Sequence, residues 1–126
     1  MSKKIISTSN APAAIGPYSQ AVLAGDTLYC SGQIALNPAT GELVMDSITA
    51  ETEQVMTNVA AVLRAADMDF THVVKCSIFM SSMEHYAAVN VVYAKYFSSD
   101  PPAREAVAVK TLPKEVNLEI SLIAVR

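Results

Sequence analysis

A ten-residue run close to the end of the chain constrains its fold more than any other segment. Apolar and polar residues alternate through residues 116–125, and Glu119 lies near the middle of the run. Because successive side chains of a β-strand point to opposite faces, this pattern predicts a strand with one face in an apolar core. The predicted core positions are Val116, Leu118, Ile120, Leu122 and Ala124, and the opposite positions are Asn117, Glu119 and Ser121.

The remaining segments predict the elements that pack against this strand. Gly25 and Asp26 separate two strand-like runs and indicate a hairpin turn. Further strands are predicted at residues 4–7, 19–24, 27–31, 73–80 and 104–110, and helices at residues 49–66 and 84–97. The order β-β-β-α-β-α-β-β predicts a single α+β domain, residues 1–126, with two helices packed on one face of a mixed β-sheet.

Two local features complete this prediction. Thr49 is the expected cap of the first helix, with Ser47 as an alternative. In the strand at residues 73–80, alternation predicts a shared core face. The residues expected on that face are Val74, Cys76, Ile78 and Met80.

The composition favours a second buried surface. Hydrophobic residues make up 52% of the chain and charged residues 17%, which is slightly apolar for a lone soluble domain. With both helices on one sheet face, the other face would present Glu119 and apolar neighbours. A half-apolar sheet face of this kind is typically covered by another subunit, so we expect an oligomer.

The charge and cysteine content exclude several classes of partner. Nine Lys and Arg residues against twelve Asp and Glu give a net charge of -3, which argues against binding to nucleic acid. No apolar run is long enough for a membrane span or a signal peptide. Cys30 and Cys76 do not form the framework of a secreted protein. We therefore expect a reduced, cytoplasmic protein with no nucleic-acid or membrane partner.

Familiar metal, cofactor and acyl-enzyme motifs are missing from the sequence. The four glycines of the chain do not form a glycine-rich phosphate-binding loop. His72 and His85 have no Cys or carboxylate at ligand spacing, so neither a metal site nor a nucleophile–histidine pair is expected. The sequence predicts a site that needs no cofactor.

Arg104 and Glu119 are the main candidates for chemistry. Arg104 follows Pro101-Pro102, which restrain the start of its strand, and a guanidinium can bind a carboxylate through paired donors. The alternative is a surface arginine paired with a neighbouring acid. Glu119 lies in an apolar run, where a carboxylate needs a partner or a cavity and could deprotonate a water. Its alternative is a solvent-facing residue on the wet side of the sheet.

Four weaker candidates accompany them. Ser31 and Gly32 offer a hydroxyl and an approachable backbone N–H at a strand end, Tyr18 a phenol in a restrained loop, and Asn90 an amide on the second helix. A capping serine, a packed tyrosine and a surface asparagine are the commoner roles for such residues.

Together the motifs of this chain resemble those of the Rid/YjgF family, the reactive intermediate deaminases. The matching segments run through the whole chain in order: Ala14-Ile-Gly-Pro-Tyr18-Ser-Gln20, Ser31-Gly-Gln-Ile34, Asn37-Pro-x-Thr-Gly-Glu42, Pro102-Ala-Arg104-x-Ala-Val, Leu112-Pro-Lys and Leu118-Glu119-Ile120. Each segment alone is a weak signal, whereas the ordered set is highly specific.

The resemblance implies a fold like that of Bacillus-type chorismate mutase, assembled as a homotrimer with sites in the clefts between subunits. It implies hydrolysis of 2-aminoacrylate, 2-iminopropanoate and 2-iminobutanoate to 2-oxo acids and ammonia. By the family pattern, Arg104 would bind the substrate carboxylate and Glu119 the hydrolytic water. The pocket would be lined by Tyr18, Ser31, Gly32, Asn90 and the backbone of Ala106.

This chain departs from the family pattern at two positions. Ala106 stands where close members often carry a cysteine, so a thiol there is unnecessary to the mechanism. Glu105 stands where a small residue is common. Strand alternation predicts that Glu105 points away from Arg104.

Three other functions compete with the deaminase interpretation. An Arg104-lined pocket could sense 2-oxo acids without catalysis, as a regulatory binding module. Members of the family have also been labelled ribonucleases or translation inhibitors, against which the acidic balance and the lack of a histidine pair argue. A chaperone-like role through apolar surface is the third.

Overall fold

The computed structural model describes residues 2–126, which form one six-stranded sheet with two helices. The strands are β1 Lys3–Ile6, β2 Ala21–Ala24, β3 Thr27–Gln33, β4 Val73–Met80, β5 Ala103–Ala108 and β6 Leu118–Val125, and the helices are α1 Ile48–Ala65 and α2 Tyr86–Ala94. Their order across the sheet is β1-β2-β3-β6-β4-β5. Only the β4–β5 pair among these strands is parallel, which confirms the predicted mixed sheet and the predicted element order.

The core lies between the two helices and one face of the sheet. Leu118, Ile120, Leu122 and Ala124 are all buried, as the alternation in β6 predicts. Helix α1 contributes an apolar face that includes Val55, Val59, Val62 and Leu63. Helix α2 packs on the same side of the sheet, beside α1.

The opposite face of the sheet, called here the open face, is not covered by either helix. Apolar side chains are prominent on it: Ile5 and Tyr29 are each 51% exposed, Val107 41% and Val125 40%. They alternate along their strands with core residues. The predicted half-apolar second face is therefore present.

Two sequence predictions about side-chain direction are wrong. Pairing between β4 and β6 shifts register between Val73 and Lys75, so Val74 is an extra residue and points outward while Val73 is buried. Asn117 precedes β6 in a bend instead of lying within the strand. Its side-chain amide donates to the buried Glu51 carboxylate of α1 at 3.0 Å.

Several predicted boundaries also move by a few residues. Ser47, the alternative cap, accepts a hydrogen bond from the Ala50 N–H at 3.0 Å and starts α1. The second helix is shorter than predicted, because the short 3-10 helix Met83–His85 precedes α2. After α2, backbone hydrogen bonds from each N–H to the carbonyl three residues earlier replace the α-helical ones up to Phe97. The strand predicted at residues 104–110 ends at Ala108, and the one predicted from residue 116 begins at Leu118.

Candidate active site

Arg104 and Glu119 lie on opposite faces of the sheet within one chain. Arg104 of β5 is paired with Cys76 of β4, and Glu119 of β6 is paired with Phe79 of β4. Directly paired residues share a face, whereas positions 76 and 79 of one strand point in opposite directions. Arg104 therefore lies on the side of α2, and Glu119 lies on the open face.

Glu119 is held against the backbone of Gly32. The pairing of β3 with β6 is interrupted between Cys30 and Gln33, and this bulge leaves room for the carboxylate. A Cβ atom at Gly32 would lie 2.0 Å from Glu119 Oε2, so a larger residue there would displace the carboxylate from this position. Within residues 2–126 the Glu119 carboxylate has no ion-pair partner, and burial raises its pKa.

Ser31 and Tyr18 lie near Gly32 in the structure, Ser31 as its chain neighbour and Tyr18 across a shared cavity. The Ser31 hydroxyl donates to the carbonyl of Ser19 at 2.6 Å, and the Ser31 N–H donates to the carbonyl of Gln20 at 2.9 Å. Ser31 thus fixes the segment that carries Tyr18. Tyr18 is 55% exposed and lines a cavity of about 330 Å³ together with Gly32 and Lys114.

A buried carboxylate anchors the entrance to β6. Glu51 of α1 is fully buried, and its two oxygens accept from the backbone N–H of Asn117 at 2.8 Å and from the Asn117 side chain. A buried carboxylate is stable when it is hydrogen-bonded in this way. The contact fixes the backbone two residues before Glu119.

Arg104 is surrounded by side chains of α2. Its guanidinium carbon lies 4.9 Å from the ring centre of Tyr93 and 5.5 Å from that of Tyr86, and its Nη2 donates to the Tyr86 hydroxyl at 2.9 Å. Arg104 and Asn90 line a cavity of about 390 Å³ whose other walls are largely apolar. That remaining lining consists of Tyr93, Ala94, Phe97, Pro101 and Pro102.

The surface ion pair considered for Arg104 is not found. Among residues 2–126 no carboxylate lies within salt-bridge distance of its guanidinium. Glu105 points away, as strand alternation predicts: it pairs with Lys75 at 3.0 Å and accepts from Ser77. Hydrogen bonds from Ser77 and Lys75 lower the pKa of Glu105.

The predicted site residues and the side chains around them thus form two separate groups. The Glu119 patch comprises Tyr18, Ser31, Gly32 and Glu119. The Arg104 patch comprises Tyr86, Asn90, Tyr93 and Arg104, with Ala106 two residues further along β5 and partly buried on the same side.

Sequence reasoning missed Tyr86 and Tyr93. Both belong to α2 and, with Asn90, occupy positions i, i+4 and i+7, which lie on one side of a helix. That spacing was the available signal, but only the pairing of β5 beside β4 shows that this side contacts an arginine.

Two further observations concern other kinds of site. His72 Nδ1 accepts from the Asp69 N–H at 3.0 Å, which closes a local turn. Among residues 2–126 there is no group of three or more His, Cys, Asp or Glu side chains arranged to hold a metal ion. In the same part of the chain, none of the helices has the length and hydropathy needed to cross a membrane.

The small α+β domain that carries these two patches matches a known protein family. Residues 8–126 match the family described as Endoribonuclease L-PSP. A goat protein named 2-iminobutanoate/2-iminopropanoate deaminase is 49% identical over 124 residues, covering 98% of this chain and 90% of the relative.

Solved structures agree with this match. The YjgF gene product of E. coli has a TM-score of 0.93 and 43% identity, with 98% of each chain covered. E. coli TdcF, solved with bound serine, has a TM-score of 0.93 and 39% identity over 98% of each chain. The chain belongs to the Rid/YjgF family, and the resemblance noted in its sequence is confirmed.

Proposed function

We propose that this protein is a hydrolase that converts 2-imino acids and their enamine tautomers to 2-oxo acids and ammonia. The substrates would be 2-aminoacrylate, 2-iminopropanoate and 2-iminobutanoate. The observation that carries the proposal is the state of Arg104, whose guanidinium is oriented by neutral side chains and has no carboxylate partner within residues 2–126. Such a group is suited to binding the carboxylate of a small ligand.

Glu119 supplies the second part of the chemistry. Its carboxylate is partly desolvated, and the raised pKa makes it a better proton acceptor when it is ionised. In the proposed reaction Glu119 takes a proton from water while the oxygen attacks the C=N carbon. Glu119 returns that proton to the imine nitrogen, which gives a neutral carbinolamine. The hydroxyl proton of the carbinolamine then moves to the nitrogen, the C–N bond breaks to release ammonia, and the C–O bond becomes the carbonyl of the 2-oxo acid.

We further propose that the two patches meet between copies of the chain in a homotrimer. In one chain Arg104 and Glu119 are on opposite faces of the sheet, so a second copy must contribute one of them. The apolar open face offers the surface for this contact, since exposed apolar faces of this kind favour association.

The relatives support this assignment. The goat relative bears the name of this deaminase, and TdcF was solved with serine, whose carboxylate and adjacent nitrogen-bearing carbon match the proposed substrates in shape. The family description names an endoribonuclease, but the net charge of -3 is unfavourable for an RNA partner. Binding to RNA that strengthens steeply as salt is lowered would favour that alternative.

The test couples a threonine dehydratase to this protein and follows 2-oxobutanoate formation above the spontaneous rate. Wild type should accelerate the reaction, and Arg104→Ala should not. Arg104→Lys should also lose most activity, because an ammonium cannot reproduce a two-point contact. Arg64→Ala is a matched control, since Arg64 is an exposed arginine on α1.

The outcomes separate the competing functions. Full activity of Arg104→Ala would contradict the proposal. No acceleration by wild type, with imines derived from both serine and threonine, would favour the regulatory 2-oxo acid-binding module.

A further inference from the structure

The Arg104 guanidinium lies against two tyrosine rings of one helix. Its central carbon is 4.9 Å from the ring centre of Tyr93 and 5.5 Å from that of Tyr86. Cations within about 6 Å of an aromatic ring centre are attracted to its electron-rich face. The Tyr86 hydroxyl also accepts a hydrogen bond from Nη2 at 2.9 Å.

The two tyrosines differ in how firmly they are held. Tyr93 is 6% exposed, its ring centre lies 4.7 Å from that of Phe97, and its hydroxyl is beside the Cys76 thiol. Burial raises the pKa of Tyr93, which therefore remains a neutral phenol. Tyr86 is 36% exposed, and a hydrogen bond with Asn90 and the charge of Arg104 lower its pKa.

Holding an arginine with neutral groups has a specific advantage for ligand binding. A carboxylate partner would fix the side chain, but it would also neutralise its charge and occupy donors that a ligand needs. Here one donor is used by Tyr86, and a guanidinium has five N–H donors. The nearest acid in sequence, Glu105, is paired with Lys75 instead.

We propose that Tyr86 and Tyr93 are positioning residues that orient the Arg104 guanidinium for the substrate carboxylate without neutralising it. Tyr93 provides the fixed support, and Tyr86 fixes the rotation of the guanidinium through its hydroxyl. This inference rests on the proposed function, because it assigns the two tyrosines to the carboxylate-binding part of that site.

The test measures binding and catalysis in conservative variants. Binding of 2-oxobutanoate, the proposed product, is followed by calorimetry, and KM and kcat are measured with the coupled assay. Tyr86→Phe keeps the ring and removes the hydroxyl, so Kd and KM should rise about three- to tenfold. The value of kcat should change little, because the carboxylate contact is the same in the ground and transition states.

Tyr93 is tested by a pair of variants. Tyr93→Leu removes the ring and should raise Kd and KM about tenfold, whereas Tyr93→Phe retains it and should stay within about twofold of wild type. Tyr96→Phe is the control: Tyr96 donates its hydroxyl to Glu53 at 2.6 Å, so this variant loses a similar hydrogen bond away from Arg104.

The outcomes distinguish this inference from the proposed function. If wild type binds 2-oxobutanoate but accelerates no imine hydrolysis, the proposed function fails, while weaker binding by Tyr86→Phe and Tyr93→Leu still supports the positioning role. If wild type is active and both variants bind 2-oxobutanoate as it does, the positioning role is overturned. Equal weakening in Tyr96→Phe, or no binding by wild type, would also overturn it.

Discussion

At the scale of single residues, the surroundings of Glu119 determine when its carboxylate is ionised. Its carboxylate is partly desolvated beside Gly32, and this desolvation raises its pKa. If Glu119 accepts a proton from water, activity should increase as pH rises through that pKa, because only the ionised form is a base. Glu119→Gln should lose most activity and this dependence, as measured by the pH profile of kcat/KM. An unchanged profile in the variant would contradict the role.

The same carboxylate should reduce the stability of the fold near neutral pH. Because its pKa is higher in the folded state, the folded chain holds the proton more tightly than the unfolded chain does. The stability that comes from this tighter proton binding is fully present below the pKa of Glu119 in the unfolded chain. It is lost as pH rises through the pKa of Glu119 in the folded chain. Glu119→Gln should therefore unfold at higher urea concentration than wild type at about pH 8, and at a similar concentration at about pH 4.

Urea unfolding at equal protein concentration tests this expectation. The concentration must match because the stability of an oligomer depends on it. A variant that is less stable than wild type at the higher pH would show that the carboxylate makes favourable contacts in the assembled protein.

At the scale of elements, the bulge in β3 determines where the carboxylate of Glu119, the candidate catalytic base, can lie. Because a Cβ at Gly32 would lie 2.0 Å from Glu119 Oε2, Gly32→Ala should push the carboxylate aside. A displacement of about 1 Å can cost about 100-fold in rate, so we expect a loss of that order in kcat. The coupled 2-oxobutanoate assay measures it.

Gly41→Ala is the matched control for that variant. Gly41 has a φ of 76°, and nothing lies within 4 Å of an added Cβ, so alanine there strains the backbone without a clash. It should lower the free energy of unfolding by about 1–2 kcal/mol and leave activity per folded protein unchanged. Similar activity losses in Gly32→Ala and Gly41→Ala would show that the effect of Gly32→Ala is only structural.

Local pattern predicted the elements well where a strand pairs regularly. The core face of β6 follows from alternation alone, because both neighbouring strands pair with it over most of its length. Alternation predicts the wrong face for Val74, because the register shift at the start of β4 leaves no mark in the sequence. Alternation also predicts the wrong direction for Asn117, because its partner, Glu51, is distant in sequence and belongs to another element.

The candidate site is predictable from the sequence only in part, for a related reason. Residue type and context single out Arg104 and Glu119. The face on which each residue lies depends on the strand order β6-β4-β5 and on pairing with Cys76 and Phe79, which no local pattern encodes. Helical spacing alone does not single out the tyrosines around Arg104, because the same spacing fits ordinary core packing equally well.

At the scale of the whole molecule, the proposed function makes a prediction about assembly, because the two patches lie on opposite faces of the sheet in one chain. The Arg104 patch of one chain must face the Glu119 patch of another if both act on one substrate. Two inactive variants, Arg104→Ala and Glu119→Gln, should then restore activity when they assemble together. We call the contact between the Arg104 patch of one copy and the Glu119 patch of the next a junction. A junction is intact when the Glu119→Gln copy supplies Arg104 and the Arg104→Ala copy supplies Glu119.

The size of the restored activity follows from the symmetry. In a cyclic trimer of mixed composition one junction in three is intact, and random assembly from equal amounts makes about three trimers in four mixed. About one quarter of wild-type activity should therefore return after the two variants are unfolded and refolded together. Each variant refolded alone should remain inactive, and native mass spectrometry of differently tagged chains should confirm mixed trimers. Mixed trimers without activity would contradict a site shared between copies, because every one of them would contain an intact pair.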